Sequence, residues 1–179
     1  MDFIIVSLRA KLEEIKSDKA KMHKLQKALS LFNCSRNNDE QTFLREKAID
    51  FEYSGKSRTY LLISKNKIIA YFSLAFKSID LVTVSSSTRR RMTAGENVET
   101  YASYLIGHLA KDDSVSEKMI DILLGNAISL ILESQKIIGG RLVYLDCKNE
   151  TKLINLYTEY GFKHFNISKS GLIQLYMKI

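Results

Sequence analysis

The apolar positions of this chain change period several times, and each change marks an element. Residues 3–7 (FIIVS) are a short apolar run that predicts a strand. From Leu8 to Phe32 the period is helical, in two parts. Leu12 and Ile15 carry the first; Met22, Leu25, Ala28, Leu29 and Phe32, spaced by three and four, carry the second. Ser17-Asp18 breaks the first part and caps the second. Residues 33–39 (NCSRNND) form a polar turn. A further helix is predicted over 39–53, with Phe43, Leu44, Ala48, Ile49 and Phe51 facing inward. After a break at Ser54-Gly55 comes a hairpin. Residues 58–64 (RTYLLIS) pair with 67–79 (KIIAYFSLAFKSI) across Lys65-Asn66, where Asn tolerates positive φ. The return strand is long enough to bend or bulge.

Residues 85–97 (SSSTRRRMTAGEN) are polar and read as an exposed loop. Strand character resumes over 98–110, with Gly107 near its end, where a bulge or a close backbone approach is expected. Residues 111–116 are a polar loop, and Ser116 or Asp113 caps a helix over 117–136. That helix is apolar almost all round, which predicts burial. Gly139-Gly140 ends it. Leu142–Leu145 is a strand covered on both faces. Asn149 caps a helix bearing Leu153, Leu156, Tyr157 and Tyr160 on one stripe, and Gly161 stops it. Residues 163–168, 169–171 and 172–179 read as strand, turn and strand.

This order predicts an α/β (α+β) fold of one domain over 1–179, with an N-terminal segment over 1–31 and a core over 32–179. The sheet is mixed and mainly antiparallel. The strands before and after the apolar helix form a parallel pair joined by a right-handed crossover, flanked by helices. Parallel units of this kind place ligands at the carboxyl ends of their strands. Asp146–Asn149 and the inward face of the next helix, Tyr157 included, are the first positions to inspect for chemistry.

Composition narrows the class. At 45% hydrophobic and 26% charged residues, the chain has globular proportions. No run reaches the roughly 18 apolar residues of a membrane span, and the first dozen residues lack the pattern of a signal peptide. Cys34 and Cys147 give neither a disulfide framework nor metal spacing, so no metal and a reducing cytoplasmic setting are expected. The formal charge of +7 favours an anionic partner, although from charge alone a lysine-rich surface that only aids solubility is the simpler account.

At this point the residues resemble those of the GNAT superfamily of N-acetyltransferases, over about Phe32 to the C-terminus. Leu156–Phe162 (LYTEYGF) is similar to the Y-x-x-x-G-F ending of that superfamily's last helix. Leu105–Ala110 (LIGHLA) is similar to its strand that pairs with the pantetheine arm of acetyl-CoA. Phe32-Asn33-Cys34, then Phe43-Leu44, then Ser57-Arg58-Thr59-Tyr60, with Ile137–Arg141 (IIGGR), resemble the branch of bacterial toxin-type acetyltransferases. The resemblance implies acetyl-CoA as cofactor. In the toxin branch it implies an acceptor amine on aminoacyl-tRNA. It also makes an antitoxin protein and a second copy of the chain the protein partners to look for, with no membrane.

The chemistry has candidates. Acetyl transfer from a thioester needs a neutral amine, a stabilised oxyanion and a protonated leaving thiolate. In the resemblance Tyr157 is the general acid; by position alone it is equally an aromatic core residue. A backbone N–H at a bulge near Leu109 is the oxyanion donor. A pyrophosphate needs clustered N–H groups and a helix N-terminus. Leu109, Ala110, Lys111, Ser114, Ser116, Glu117, Lys118 and Met119 supply that wall, with Asn149 on the other. The superfamily's loop is Q/R-x-x-G-x-G/A, whereas Ser114–Ile120 here contains no glycine and places Glu117 where a phosphate approaches. A non-catalytic module binding RNA or protein through a basic surface is therefore the competing reading. Arg58, Arg89, Arg90 and Arg91, with Lys56, are the acceptor-binding candidates, or else an exposed basic loop. Glu96, Glu99, His108 and Cys147 read as an exposed pair of carboxylates, a satisfied strand histidine and a core thiol.

Overall fold

The computed structural model describes residues 2–179. Its elements are β1 (Ile4–Ser7), α1 (Leu8–Glu14), α2 (Lys19–Ser30), α3 (Asn38–Thr42), a π-helical turn (Phe43–Lys47), α4 (Ala48–Tyr53), β2 (Arg58–Ser64), β3 (Lys67–Asp80), α5 (Ser86–Met92), β4 (Thr100–Lys111), α6 (Ile120–Ile138), β5 (Leu142–Cys147), α7 (Thr151–Glu159), β6 (Lys163–Ile167) and β7 (Ile173–Lys178). The strand order is β1-β2-β3-β4-β5-β7-β6. β4 and β5 are parallel, with Tyr104 opposite Val143 and Leu105 opposite Tyr144. β1–β2, β2–β3, β5–β7 and β6–β7 are antiparallel. This is the mixed, mainly antiparallel architecture expected from the sequence.

By its internal contacts the chain divides into two compact units, residues 2–75 with His108–Ile128, and Phe76–Gly107 with Ser129–Ile179. In the first unit, Asp18 caps α2 by accepting the Lys21 amide at 2.9 Å. The β2–β3 turn has Lys65 at φ 47° and Asn66 at φ 63°, the left-handed pair a tight hairpin requires. Leu62 faces Ala70 while Ile63 faces Ile68, so Ile69 is the extra residue of a bulge. Leu8, Leu12, Leu29, Phe32, Phe43, Leu44, Leu61 and Tyr71 build the core of this unit. Each fully buried Leu or Phe side chain there contributes about 1.5–3 kcal/mol.

In the second unit, Ile79, Leu81, Val84, Met92, Leu142, Tyr144 and Tyr176 form the core. Gly140 sits at φ +103°, and a Cβ on it would lie 2.7 Å from the Tyr104 ring, so the glycine is required twice over. The end of α7 is a Schellman motif. Gly161, at φ +90°, donates to Thr158 O at 2.9 Å, and Phe162 donates to Tyr157 O at 3.1 Å.

Four sequence expectations are corrected. Residues 85–97 are not all loop. Ser85 caps α5 by accepting the Thr88 amide, and fully buried Met92 and Thr93 anchor its end. The helix expected over 117–136 runs instead from Ile120 to Ile138. It is also not buried all round. Leu123, Leu124, Ala127 and Ile131 are buried, but Leu132 is 38% exposed, Ile137 84% and Ile138 61%. Asn149 does not cap α7; Glu150 occupies that position, without a side-chain hydrogen bond.

Candidate acetyl-transfer site

In the first unit, β4 ends in a loop that side chains hold from beneath. The amide of Asp112 donates to the carbonyl of the bulged Ile69 at 2.8 Å, so the bulge fixes where β4 stops. The Asp112 carboxylate is 1% exposed. It accepts from the Asn33 amide at 2.8 Å, the Ser114 amide at 3.0 Å and the Ser114 hydroxyl at 2.6 Å, and pairs with Lys67 Nζ at 2.8 Å. Burial alone would raise its pKa. The Lys67 ammonium, the Ser114 hydroxyl and the two amides outweigh that and hold it at about 2. Asp113 accepts from the Ser35 amide at 2.9 Å. The loop is thereby tied to the Asn33–Ser35 turn.

Lys111 does the complementary work on the carbonyl side. Its Nζ donates to Val115 O at 2.6 Å, Ser116 O at 3.4 Å and Glu117 O at 2.9 Å. Those carbonyls are turned onto an ammonium and are not engaged as the first acceptors of α6. The helix accordingly begins later than residue 117: Leu123 N to Met119 O, at 2.9 Å, is the bond that opens it. The preceding N–H groups lie at the helix N-terminus, where an anion is stabilised. A lysine clamp, and no glycine, holds this loop. Met119 and Val115 bury their side chains, at 4% each. Ser114, Ser116, Glu117 and Lys118 are exposed. Glu117 accepts from the Ser116 hydroxyl at 3.2 Å, and its pKa is lowered first by its own backbone amide and next by that hydroxyl.

On β4 itself, Leu109 is half-buried and Ala110 buried. His108 stacks on Phe43 of the π-helical turn, with centroids 3.6 Å apart, and its Nδ1 lies 2.8 Å from Glu40 Oε2. The Tyr71 hydroxyl donates to the same carboxylate oxygen at 3.0 Å. Burial, then Glu40, pushes the Tyr71 hydroxyl far above its ordinary value. His108 is thus a partnered histidine, and Glu40 and Tyr71 are its partners that sequence reasoning missed. A π-helical turn beside it, a feature enriched at functional sites, had no sequence signal either.

The second unit holds the other candidates. Tyr157 is half-buried on α7, and its ring packs on Phe162 at 6.1 Å and 73°. The Schellman bonds and this contact fix both its backbone and its ring. Asn149 is exposed in the β5–α7 turn. The Cys147 thiol is pushed up, first by burial and then by Asp146 and Glu150, the reverse of an activated nucleophile. Glu96 and Glu99 are exposed.

The basic candidates separate. Arg58 and Lys56 belong to the first unit, and Arg89–Arg91 to the second. Arg58 donates to both the carboxylate and the carbonyl of buried Glu52, at 3.2 Å each, and Lys56 lies 5.2 Å above the Phe51 ring. Arg89 donates to Val84 O at 2.9 Å and Arg91 to the Thr88 hydroxyl at 3.2 Å; Arg90 and Arg91 are both exposed, and of the two Arg90 is the one with no side-chain bond of this kind. Among the described residues no group of three or more His, Cys, Asp or Glu is placed to hold a metal ion, and no helix is long and apolar enough to cross a membrane.

The fold has close counterparts among solved structures. AtaT complexed with acetyl-methionyl-tRNAfMet superposes with TM-score 0.71 at 16% identity, over 99% of this chain and 95% of that one. The chain has the GNAT fold. A mutant of KacT superposes with TM-score 0.73 at 18% identity, covering 99% and 95%. AtaTR bound with acetyl-CoA gives 0.72 at 18%, covering 99% and 94%. No protein-family profile matches the sequence, and no curated protein matches it.

Proposed function

We propose that this chain is an acetyl-CoA-dependent N-acetyltransferase whose acceptor is the amino group of an aminoacyl-tRNA. The observation that carries the reading is the likeness of fold, over almost the whole chain, to AtaT complexed with acetyl-methionyl-tRNAfMet. The clamped loop at Lys111–Met119 supports it, because a glycine-free segment is here held with its carbonyls on a lysine and a helix N-terminus beside it.

In the proposed reaction the neutral amine attacks the thioester carbonyl. A backbone N–H near Leu109 stabilises the oxyanion, the C–S bond breaks, and the Tyr157 hydroxyl protonates the departing thiolate. The amine's surplus proton leaves to water. Exposed Lys118 and the hydroxyls of Ser114 and Ser116 are the side-chain contacts proposed for the cofactor's phosphates. Arg90, exposed on α5 and without the side-chain bond that holds Arg91, is the one of the basic candidates proposed to meet the acceptor's phosphates. An antitoxin is the proposed protein partner, by analogy with the AtaT mutant toxin bound to the C-terminus of its antitoxin AtaR and acetyl-CoA.

Titration with acetyl-CoA tests the cofactor. A bound cofactor at about 100 times its Kd stabilises the fold by about 2.7 kcal/mol, which a thermal melt resolves. No stabilisation at millimolar acetyl-CoA would overturn the enzymatic reading. The competing reading, a binding module without catalysis, draws on the exposed Glu117 carboxylate in the loop, and it predicts that null titration. Lys111→Met isolates the clamp. Removing the ammonium frees the carbonyls of residues 115–117, and the expected result is an acetyl-CoA Kd raised by roughly tenfold, the cost of about one lost charge-assisted hydrogen bond. An unchanged Kd would mean that the clamp does not shape the cofactor loop.

A further inference from the structure

The net charge of this protein is concentrated in one segment. Between Lys19 and Asn38 the sequence holds Lys19, Lys21, Lys24, Lys27 and Arg36 and no Asp or Glu, a local charge of +5. The whole chain carries 27 basic and 20 acidic residues, so the remainder has 22 against 20, a net +2. Four of the five cations lie on α2.

Helices α1 and α6 neutralise cations locally, whereas the arginines of α5 have no carboxylate partner among the described residues. On α1, Arg9 pairs with Glu13 at 2.7 Å and Lys11 with Glu14 at 2.8 Å; on α6, Lys136 pairs with Glu133 at 2.8 Å. On α2, only Lys21 has a carboxylate, that of Asp18 at 3.4 Å. Among the described residues Lys19, Lys24 and Lys27 form no ion pair, and all three are exposed. Lys19, His23 and Lys27 follow one another at helical spacing with Lys24 beside them, along about 12 Å of axis. The opposite face is committed. Leu29 is buried, and Met22, Leu25 and Ala28 pack on the core of the first unit. The lysine row is therefore presented in a fixed orientation, and the apolar face is not available to a membrane.

We propose that this lysine face of α2 binds the sugar-phosphate backbone of a folded RNA. Protein interfaces deplete lysine and anchor on buried aromatic or aliphatic side chains. Within α2 the residues beside the lysines are Ala20, His23 and Gln26, all exposed, and the exposed apolar side chain nearest to them is Leu31 at the helix's C-cap, a single aliphatic group against three unpaired ammonium groups. Uncompensated ammonium groups along one helix suit repeating phosphates, which position a nucleic acid without reading its sequence. The identity of that RNA as the tRNA acceptor rests on the proposed acetyl transfer; the binding itself does not.

The test is the triple variant Lys19→Gln, Lys24→Gln, Lys27→Gln, which keeps good helix formers on α2. Its control is Lys163→Gln, Lys169→Gln, Lys178→Gln, an equal loss of charge at exposed positions of the β6–β7 hairpin. Fluorescence anisotropy with tRNA is measured over a salt series. The α2 variant is expected to bind roughly 10- to 100-fold more weakly, with the slope of log K against log salt reduced by about 2 to 3. The control is expected to stay near the parent protein. Equal losses in the two variants, or parental affinity in the α2 variant, would overturn the proposal, as would tighter binding of an acidic polypeptide than of tRNA at the same salt. Acetyl-CoA titration of the same α2 variant separates the two levels. An intact cofactor titration with weakened tRNA binding places the defect on the lysine face, whereas failure of the acetyl-transfer reading appears as absent cofactor binding in the parent protein.

Discussion

Under the proposed reaction, replacing Tyr157 with Phe is expected to lower turnover by about 10²- to 10⁴-fold, the range for loss of a general acid, and to leave acetyl-CoA affinity unchanged. The substitution is selective because of where the ring sits. Tyr157 packs edge-on against Phe162, and its carbonyl takes the Phe162 amide in the Schellman motif. Phe preserves the ring contact and the backbone bond, so the hydroxyl alone is lost. Pre-steady-state kinetics with saturating acetyl-CoA measure the chemical step directly. A parallel rise in the acetyl-CoA dissociation constant would assign Tyr157 to packing, and parental turnover would remove it from the mechanism.

Asp112→Ala is expected to be the most damaging change to the Lys111–Met119 loop. The carboxylate is buried and ties β4, the Asn33 turn and Ser114 to one point. Its removal leaves the Asn33 and Ser114 amides unpaired, a loss of about 3 kcal/mol. For a chain of this size that lowers Tm by roughly 6–12 °C. The pH dependence has a definite sign. The folded pKa is depressed to about 2 from the ordinary aspartate value of 3.8, so the stability Asp112 contributes is full above about pH 4 and is lost as the pH falls towards 2. Acid melts of the parent and of Asp112→Asn should converge in that window. Parallel curves with a constant offset down to pH 2 would show that the carboxylate's charge is not what stabilises the loop.

What was legible in the sequence was what local chemistry decides. The Lys65-Asn66 turn, the Asp18 cap and the Gly161 stop each follow from residues within a few positions, and each stands as expected. The parallel β4–β5 pair was legible because a long apolar helix separates two strand patterns. The rest depended on distant partners. The start of α6 is set by Lys111 drawing carbonyls from residues 115–117, which no helical period reveals. Residues 85–97 showed no period because α5 is anchored by one buried methionine, Met92, and a serine cap. Glu40 meets His108 across 68 residues of sequence, so their pairing was invisible. The lysines of α2 can be read off the sequence; that they lack carboxylate partners cannot, because an ion pair is a property of the fold.

One measurement bears most directly on the central claim. The protein is incubated with acetyl-CoA labelled in the acetyl group and a mixture of aminoacyl-tRNAs, the ester bond is hydrolysed, and the released amino acids are analysed by mass. The predicted result is label on the α-nitrogen of an amino acid freed from tRNA, absent with Tyr157→Phe. Label recovered only on free amines or on protein, with acetyl-CoA bound and consumed, would contradict it.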